Sequence, residues 1–171
     1  MDFTTVITDR YSCKKFDENK SISQEQLDAI LEAGRVAPTA KNNQEQRIYV
    51  AQSEEALAKI DDITPCRYGA QTVLVVAFDK KGAFVYPGKK RTSGAEDATI
   101  VATHMMLAAA NAGVDSCWIN FFNPETAAAK LGLPENEEVL MLLDLGFAAE
   151  GTGPLANHGA RKEIGETVSF I

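Results

Sequence analysis

The segment Thr72–Phe78, TVLVVAF, decides the fold, because an apolar run of this length predicts a strand that is covered on both faces. The run is far too short to span a bilayer. A second buried strand is predicted at Val139–Phe147, VLMLLDLGF. Shorter strands are predicted at Arg47–Ala51, RIYVA, and at Ser116–Phe121, SCWINF. We therefore expect a central mixed sheet of four to five strands, enclosed by helices.

The predicted helices begin and end at clear signals. The strongest lies within Ser21–Pro38, where Ser23 is the N-cap and Gln26 completes a capping box. A long helix from about Glu96 to Ala112 is apolar nearly all round, so we expect it to be central, with a subunit interface as one means of burial. Further short helices are predicted over residues 3–9, 53–60 and 124–132.

Helices and strands do not alternate regularly, which indicates an α+β fold within a single domain, residues 1–171. Neither GxGxxG nor GxxxxGK[ST] occurs, so a dinucleotide fold and a P-loop are not supported. Residues 82–95, rich in glycine and lysine, are predicted to form a mobile loop. Residues 160–171 form a C-terminal arm that ends in a predicted edge strand, which could add to another chain.

Composition excludes several classes of function. The formal net charge of -7 offers no broad basic field for a nucleic acid. The N-terminus has an acid at Asp2 and no apolar signal core, so we expect a cytoplasmic protein with no membrane partner. Three scattered cysteines and two histidines show no metal spacing, and buried structural cysteines are the default. Cys13, beside Lys14, is the single candidate nucleophile and ranks below that default.

The segment Asp9–Asp17, DRYSCKKFD, gathers cations around a hydroxyl in an acidic chain. Arg10, Lys14 and Lys15 surround Ser12, with Tyr11 between them. In isolation the segment is a solvated, charged helix end. The alternative is an anion site in which arginine, lysine and the hydroxyl meet a phosphate.

Three further segments have the residues of a binding site, although each has a plain structural alternative. The run Ala37–Arg47, APTAKNNQEQR, offers many donors and acceptors, or is a turn of solvated amides. The strand end Trp118–Asn120 suits a flat heteroaromatic ligand, or holds a core tryptophan. Arg161 and Lys162 are a second phosphate anchor, or a solvated tail.

Together these segments resemble the nitroreductase family of FMN-dependent flavoproteins, in five blocks that follow the family's order from residue 8 to residue 168. The first block is similar to Arg-x-Ser-x-Arg/Lys-Lys/Arg-Phe, and the second to Ala-Pro-Ser-Ala-x-Asn-x-Gln-Pro-Trp-Arg. The others are the central helix with the strand after it, the segment LGLPENEEVLMLLDLGFAAE, and the ending ARKEIGETV. The matching residues of the first two blocks are Arg10, Ser12, Lys14, Lys15, Phe16, Ala37, Pro38, Ala40, Asn42, Gln44 and Arg47.

The resemblance implies an intertwined homodimer with FMN bound between the subunits. It implies four groups of protein contacts to FMN. The opening segment binds the phosphate and ribityl chain, a loop from the partner subunit lies at the flavin edge, a strand end flanks the flavin ring, and a residue near the C-terminus is a second anchor for the phosphate. The residues implied are Arg10, Tyr11, Ser12, Lys14, Pro38, Thr39, Ala40, Asn42, Gln44, Trp118, Ile119, Asn120 and Arg161.

The resemblance also implies a ping-pong reaction, in which NADH or NADPH reduces the flavin and an electron-poor acceptor such as a nitroaromatic or a quinone reoxidises it. The flavin carries this chemistry, so no catalytic side chain and no metal are expected. The rivals are a non-catalytic flavin-binding module and a flavin-fragmenting, dehalogenating or dehydrogenating relative. Three departures stand out: Glu45–Gln46 replaces Pro-Trp, Phe147–Ala148 replaces Tyr-Pro, and Glu163 replaces proline. We expect the loop 82–95 to be the substrate lid.

Overall fold

Four strands pair in one sheet within residues 2–88 and 90–171, the part of the chain that the computed structural model describes. Their order across the sheet is β1-β2-β4-β3. The strands are β1 (Gln46–Ala51), β2 (Thr72–Asp79), β3 (Asp115–Ile119) and β4 (Glu137–Gly146). The helices are α1 (Phe3–Asp9), α2 (Gln24–Arg35), α3 (Glu54–Asp61), α4 (Gly94–Asn111) and α5 (Pro124–Leu131). The predicted α+β class is confirmed.

The pairing of the strands differs from the predicted mixed sheet. β1 with β2, β2 with β4, and β3 with β4 are all antiparallel. The one parallel contact described is an isolated bridge between Ser12 and Ser116. The opening segment then leaves β3 and forms an antiparallel bridge from Phe16 to Ala148, beyond β4. Because it turns away after one bridge, it does not become a fifth strand.

The hydrophobic core has two parts, one on each face of the sheet. β2 alternates between them, with Leu74 and Val76 facing α2 and α4, and Val73 and Val75 facing the side that α3 and α5 cover. Every residue from Thr72 to Phe78 is buried, which confirms that both faces of this strand are covered. The central position of α4 is also confirmed, since one side of it packs into the first core.

The helix termini follow the predicted signals closely. Ser23 and Gln26 form the complete capping box at the start of α2. α4 begins two residues before the predicted start, so the loop 82–95 ends at Ser93. The reason is packing: Ser93 is buried, its hydroxyl accepts the Phe84 N–H at 3.1 Å, and Gly94 lies directly against the Phe78 ring. Lys89, within the predicted lid, lies outside the described residues.

The bounds of β1, β2 and β4 are within two residues of those predicted, whereas the end of β3 and the C-terminal arm differ more. β3 spans Asp115–Ile119 rather than 116–121, because the chain turns at Asn120, whose carbonyl accepts the Phe122 N–H at 3.0 Å. The C-terminal arm contains no strand within this chain, only a 3₁₀ turn at Ile164–Glu166. Its pairing with a second chain stays a prediction. Among the helices described, none is long and apolar enough to cross a membrane.

The contact between Gly94 and Phe78 generates a stability prediction. A Cβ atom at Gly94 would lie 2.3 Å from Phe78 Cδ2 and 2.4 Å from Cε2. We expect Gly94→Ala to lower the free energy of unfolding by about 1–3 kcal/mol, because one of two packed elements must shift. Urea unfolding measures the change. Gly153→Ala, with no atom within 4 Å of the added Cβ, is the matched control. Equal stability of the two variants would contradict the packing argument.

Candidate functional site

The opening segment is held along β3 by backbone hydrogen bonds. The Cys13 N–H donates to the Ser116 carbonyl at 2.9 Å, and the Phe16 N–H donates to the Tyr68 carbonyl at 2.9 Å. These bonds fix which side chains of the segment turn inward. Cys13 and Phe16 are buried in the second core, whereas Ser12 is exposed. The segment therefore presents its polar side chains along the β3 edge of the sheet.

The cations of this segment lack a charged partner. The Lys14 Nζ lies 3.4 Å from the Tyr68 hydroxyl, 3.4 Å from the Cys117 Sγ, and 4.8 Å from the centre of the Tyr68 ring. No hydrogen bond or ion pair engages the Arg10 guanidinium or the Ser12 hydroxyl anywhere in residues 2–88 and 90–171. An arginine and a hydroxyl without acceptors, beside a lysine bonded only to a phenol and a thiol within the described residues, are the donors that an anionic group requires.

The end of β3 lies on the same edge of the sheet. The Trp118 indole N–H donates to the Asn120 Oδ1 at 2.9 Å, which fixes the tryptophan against the exposed amide. Ile119 is buried, so only its backbone can face a ligand. The predicted strand end thus offers a partly buried aromatic ring and an exposed amide, close to the opening segment.

The C-terminal arm reaches this region through one ring contact. Tyr11 and His158 meet edge to face, with their ring centroids 6.5 Å apart. The following turn ends at Arg161, whose guanidinium donates to the His158 and Ala160 carbonyls at 2.7 Å each. Arg161 is exposed on a turn that abuts the opening segment.

The loop Pro38–Gln44 lies at the other end of the molecule. The Ala40 N–H donates to the Asp97 Oδ1 at 2.9 Å, which places the loop at the start of α4. Arg10 lines a cavity of about 160 Å³ together with Ala110, near the end of the same helix. The rise of an α-helix puts about 20 Å between Asp97 and Ala110. One chain therefore does not bring this loop and the opening segment together.

The backbone of the loop is strained. Lys41, Asn42 and Gln44 have φ values of 54°, 56° and 55°, in the left-handed region that favours glycine. The Gln44 N–H donates to the Thr39 Oγ1 at 3.0 Å and the Asn43 amide donates to the Gly82 carbonyl at 2.8 Å, which stabilises this conformation. Strain held in place by its surroundings is typical of functional loops.

Glu45, where the resemblance leads one to expect proline, anchors this loop internally. It is 2% exposed, and the Ser93 hydroxyl lies 3.4 Å from its Oε1. Burial raises the pKa of Glu45, and the adjacent Asp97 carboxyl raises this pKa further. Within residues 2–88 and 90–171, Glu45 Oε2 and Asp97 Oδ2 are buried without a hydrogen-bond partner. Asp97 was missed by the sequence analysis.

Asp144 was missed as well, although a lone acid in the apolar run of β4 was a usable signal. It is 0% exposed, and neither carboxylate oxygen has a hydrogen-bond partner among the residues that the structure describes. Burial raises the pKa of Asp144 to about 8, against the opposing attraction of Arg67 and Lys14. An acid that stays protonated near neutral pH therefore lies close to Lys14.

The remaining polar candidates have structural roles. Burial raises the pKa of the Cys13 thiol, which donates to the Lys15 carbonyl at 3.3 Å, so this thiol is a poor nucleophile. Arg67 is held by two 2.7 Å contacts to Asp61. In the described part of the chain, no cluster of three or more histidine, cysteine, aspartate or glutamate residues could hold a metal.

Comparison with known proteins agrees with this architecture. The model of the nitroreductase family matches residues 7–65 and 65–147. A nitroreductase family protein from Clostridium difficile 630 is 30% identical, with a TM-score of 0.92 over 99% of this chain and 98% of that one. A protein of Methanothermobacter thermautotrophicus, named as a candidate NADH dehydrogenase/NAD(P)H nitroreductase, is 25% identical over 90% of this chain and 81% of its own length.

A further structure, that of an Exiguobacterium sibiricum protein solved in complex with FMN, has a TM-score of 0.85. It is 22% identical and covers all of this chain and 98% of its own, so it supports the fold. The chain belongs to the nitroreductase family. The resemblance stated from the sequence is confirmed, whereas the roles of its individual site residues stay predictions.

The burial of Asp144 predicts a dependence of stability on pH. Its pKa is about 8 in the folded chain and near the ordinary 3.8 in the unfolded one, so the folded state holds an extra proton between these values. The free energy of unfolding should therefore fall as the pH rises from about 4 to 8. Relative to Asp144→Asn, we expect the wild type to lose about 1 kcal/mol per pH unit in this window.

Urea unfolding at pH 5, 6, 7 and 8 tests this expectation. Glu138→Gln removes an exposed acid from the same strand and serves as the control. A constant difference in stability between the wild type and Asp144→Asn across these pH values would show that Asp144 is ionised in the folded protein.

Proposed function

We propose that this chain is an FMN-dependent oxidoreductase, which takes electrons from NADH or NADPH and passes them to an electron-poor acceptor such as a nitroaromatic or a quinone. The observation that carries the proposal is a set of donors without a charged partner among the described residues of the opening segment, Arg10, Ser12 and Lys14, in a chain of the nitroreductase family. The Methanothermobacter relative bears a NAD(P)H nitroreductase name, and the Exiguobacterium neighbour was solved with FMN, which supports the same cofactors here.

The residues present fit FMN. A phosphate needs several charge-assisted donors, and the Arg10 guanidinium and Ser12 hydroxyl have no competing acceptor within the described ranges. Lys14 contacts only a phenol and a thiol, both weak partners for an ammonium group. Arg161 adds a further cation from the C-terminal arm. Trp118, Ile119 and Asn120 would flank the ring, with an aromatic face and an amide edge suited to a heteroaromatic system.

When bound, FMN supplies the hydride and electron transfer. The chain's own part is to bind, orient and stabilise charge. Cations held by the fold beside an electron-rich ligand stabilise negative charge without reorganisation, which is the role we assign to Lys14 and Arg10. A single site that serves donor and acceptor in turn implies a ping-pong reaction, in which the nicotinamide product leaves before the acceptor enters.

The separation of the site's two halves supports a homodimer. Because about 20 Å of helix separates the loop Pro38–Gln44 from Arg10, one site would combine the opening segment of one copy with the loop of the other. Exposed apolar side chains on α1 and on the outward side of α4 also support a homodimer: Phe3 is 69% exposed, Ile7 42% and Ile100 37%. Such residues are suited to burial against a second copy.

The first prediction from this function concerns the flavin spectrum. Protein supplied with FMN should retain it, and anaerobic NADH or NADPH should bleach the flavin absorbance promptly. A nitroaromatic or a quinone should then restore the oxidised spectrum. Anaerobic stopped-flow absorbance spectroscopy measures both the reduction and the reoxidation of the flavin. Bound flavin that neither nicotinamide bleaches would indicate a non-catalytic flavin module, and protein that never retains FMN would contradict the cofactor itself.

The second prediction concerns Arg10 as an anchor of the FMN phosphate. Arg10→Ala should weaken FMN binding about tenfold to a hundredfold, because a charge-assisted donor is lost. Arg35→Ala is the matched control, since Arg35 is an exposed arginine that already pairs with Glu32 at 2.6 Å. Flavin fluorescence titration gives both affinities. Unchanged affinity in Arg10→Ala would place the phosphate elsewhere.

The same variant tests whether the site is shared between chains. Asn42→Trp should block the loop half of each site. In a mixed dimer of Arg10→Ala and Asn42→Trp chains, purified through two different tags, both lesions should fall in one site and leave the other intact. Recovery of about half the wild-type tight FMN binding supports the shared site. Absence of any tight site would show that both halves come from one chain.

A further inference from the structure

Asp144 lies behind the Lys14 ammonium group, separated from it by a single side chain. Asp144 on β4 is the direct cross-strand partner of Cys117 on β3. Side chains of such a pair leave Cβ atoms about 5 Å apart on the same face of the sheet. The Cys117 Sγ in turn lies 3.4 Å from the Lys14 Nζ. The carboxyl and the ammonium group are therefore close but not bonded.

In the described part of the chain, the surroundings of Asp144 contain several titratable groups but no donor to its oxygens. Two cations, Lys14 and Arg67, attract the carboxylate, and neither bonds to it. Arg67 is committed to Asp61 and to the Ala70 carbonyl at 2.8 Å. The other titratable groups that face the carboxyl are Cys13, Cys66, Cys117 and Asp61. Neither cation is bonded to Asp144, so the proton on this carboxyl changes the charge behind Lys14.

We propose that Asp144 is a positioning residue which sets, through its own proton, the net charge that Lys14 presents to an anionic ligand. Protonated, it leaves the Lys14 charge uncompensated, and the phosphate or electron-rich ring of a flavin experiences the full cation. Ionised, it compensates that cation from behind and weakens the attraction. This inference rests on the proposed function, because it needs FMN to bind beside Lys14.

The pH at which the change occurs follows from burial. Burial raises the pKa of Asp144 to about 8, so the ionisation falls on the alkaline side of neutral. A phosphate monoester, with its second pKa near 6, already carries its full charge there. Ionisation of a carboxyl this close to Lys14 inside a protein weakens the binding of an anion beside Lys14 by about tenfold. The loss of affinity should therefore report on Asp144 rather than on the ligand.

The test is the dissociation constant of FMN, measured by quenching of flavin fluorescence at pH 6.5, 7.5, 8.5 and 9.0 at constant ionic strength. For the wild type we expect the constant to rise about tenfold across this range. For Asp144→Asn, which keeps the shape and cannot ionise, we expect the affinity to stay at the tighter, low-pH value. Glu138→Gln, an exposed acid on the same strand, should behave as the wild type.

The outcomes separate this inference from the proposed function. Tight FMN binding that depends on pH equally in the wild type and in Asp144→Asn overturns the role of Asp144 and leaves the flavin function standing. A wild-type constant that does not change with pH does the same. Absence of FMN binding at every pH overturns both. If Asp144→Asn fails to fold, Asp144→Ser, smaller and unable to ionise in this range, provides the same comparison.

Discussion

The burial of both faces of β2 is the constraint on which the rest of the structure depends. A strand with apolar side chains on either side needs a layer of helices above and below it, and α2 with α4, and α3 with α5, supply those layers. Neighbouring β4 is buried in the same way, which leaves β1 and β3 as the two edges. The opening segment attaches to the β3 edge, so Arg10 and Lys14, which have no acidic partner among the described residues, lie at the margin of the sheet.

The length of α4 sets the geometry of the candidate site. The helix starts under the strained loop, through the Asp97 contact to Ala40, and ends beside the cavity that Arg10 lines. A rigid element of 18 residues therefore holds two sets of polar groups apart within one chain. In the two-fold symmetric pair that we propose, each loop would meet the opening segment of the other copy, and the two separated halves would form one site.

Local signals in the sequence predicted the elements well, because they depend on a few adjacent residues. The capping box of Ser23 and Gln26 and the apolar run of β2 are of this kind. Long-range arrangement was harder to predict. The chain order alone could not show that the loop at Asn42 and the cations at Arg10 lie at opposite ends of α4. The C-terminal arm was predicted to end in an edge strand that could add to another chain; residues 160–171 form no strand within this chain, and the pairing with a second chain stays a prediction. Asp144 was treated as part of an apolar run, since its burial depends on how β3 and β4 pair.

The left-handed residues Lys41, Asn42 and Gln44 have a consequence for the thermodynamics of ligand capture. The loop that contains them is held by hydrogen bonds to Thr39, Gly82 and Asp97, all within the same chain. The entropy lost in ordering the loop is therefore lost when the chain folds, and little remains to be lost when a ligand arrives. A surface that is already rigid before association loses less affinity to immobilisation than a loop that must order on contact. The loop is preorganised by the fold.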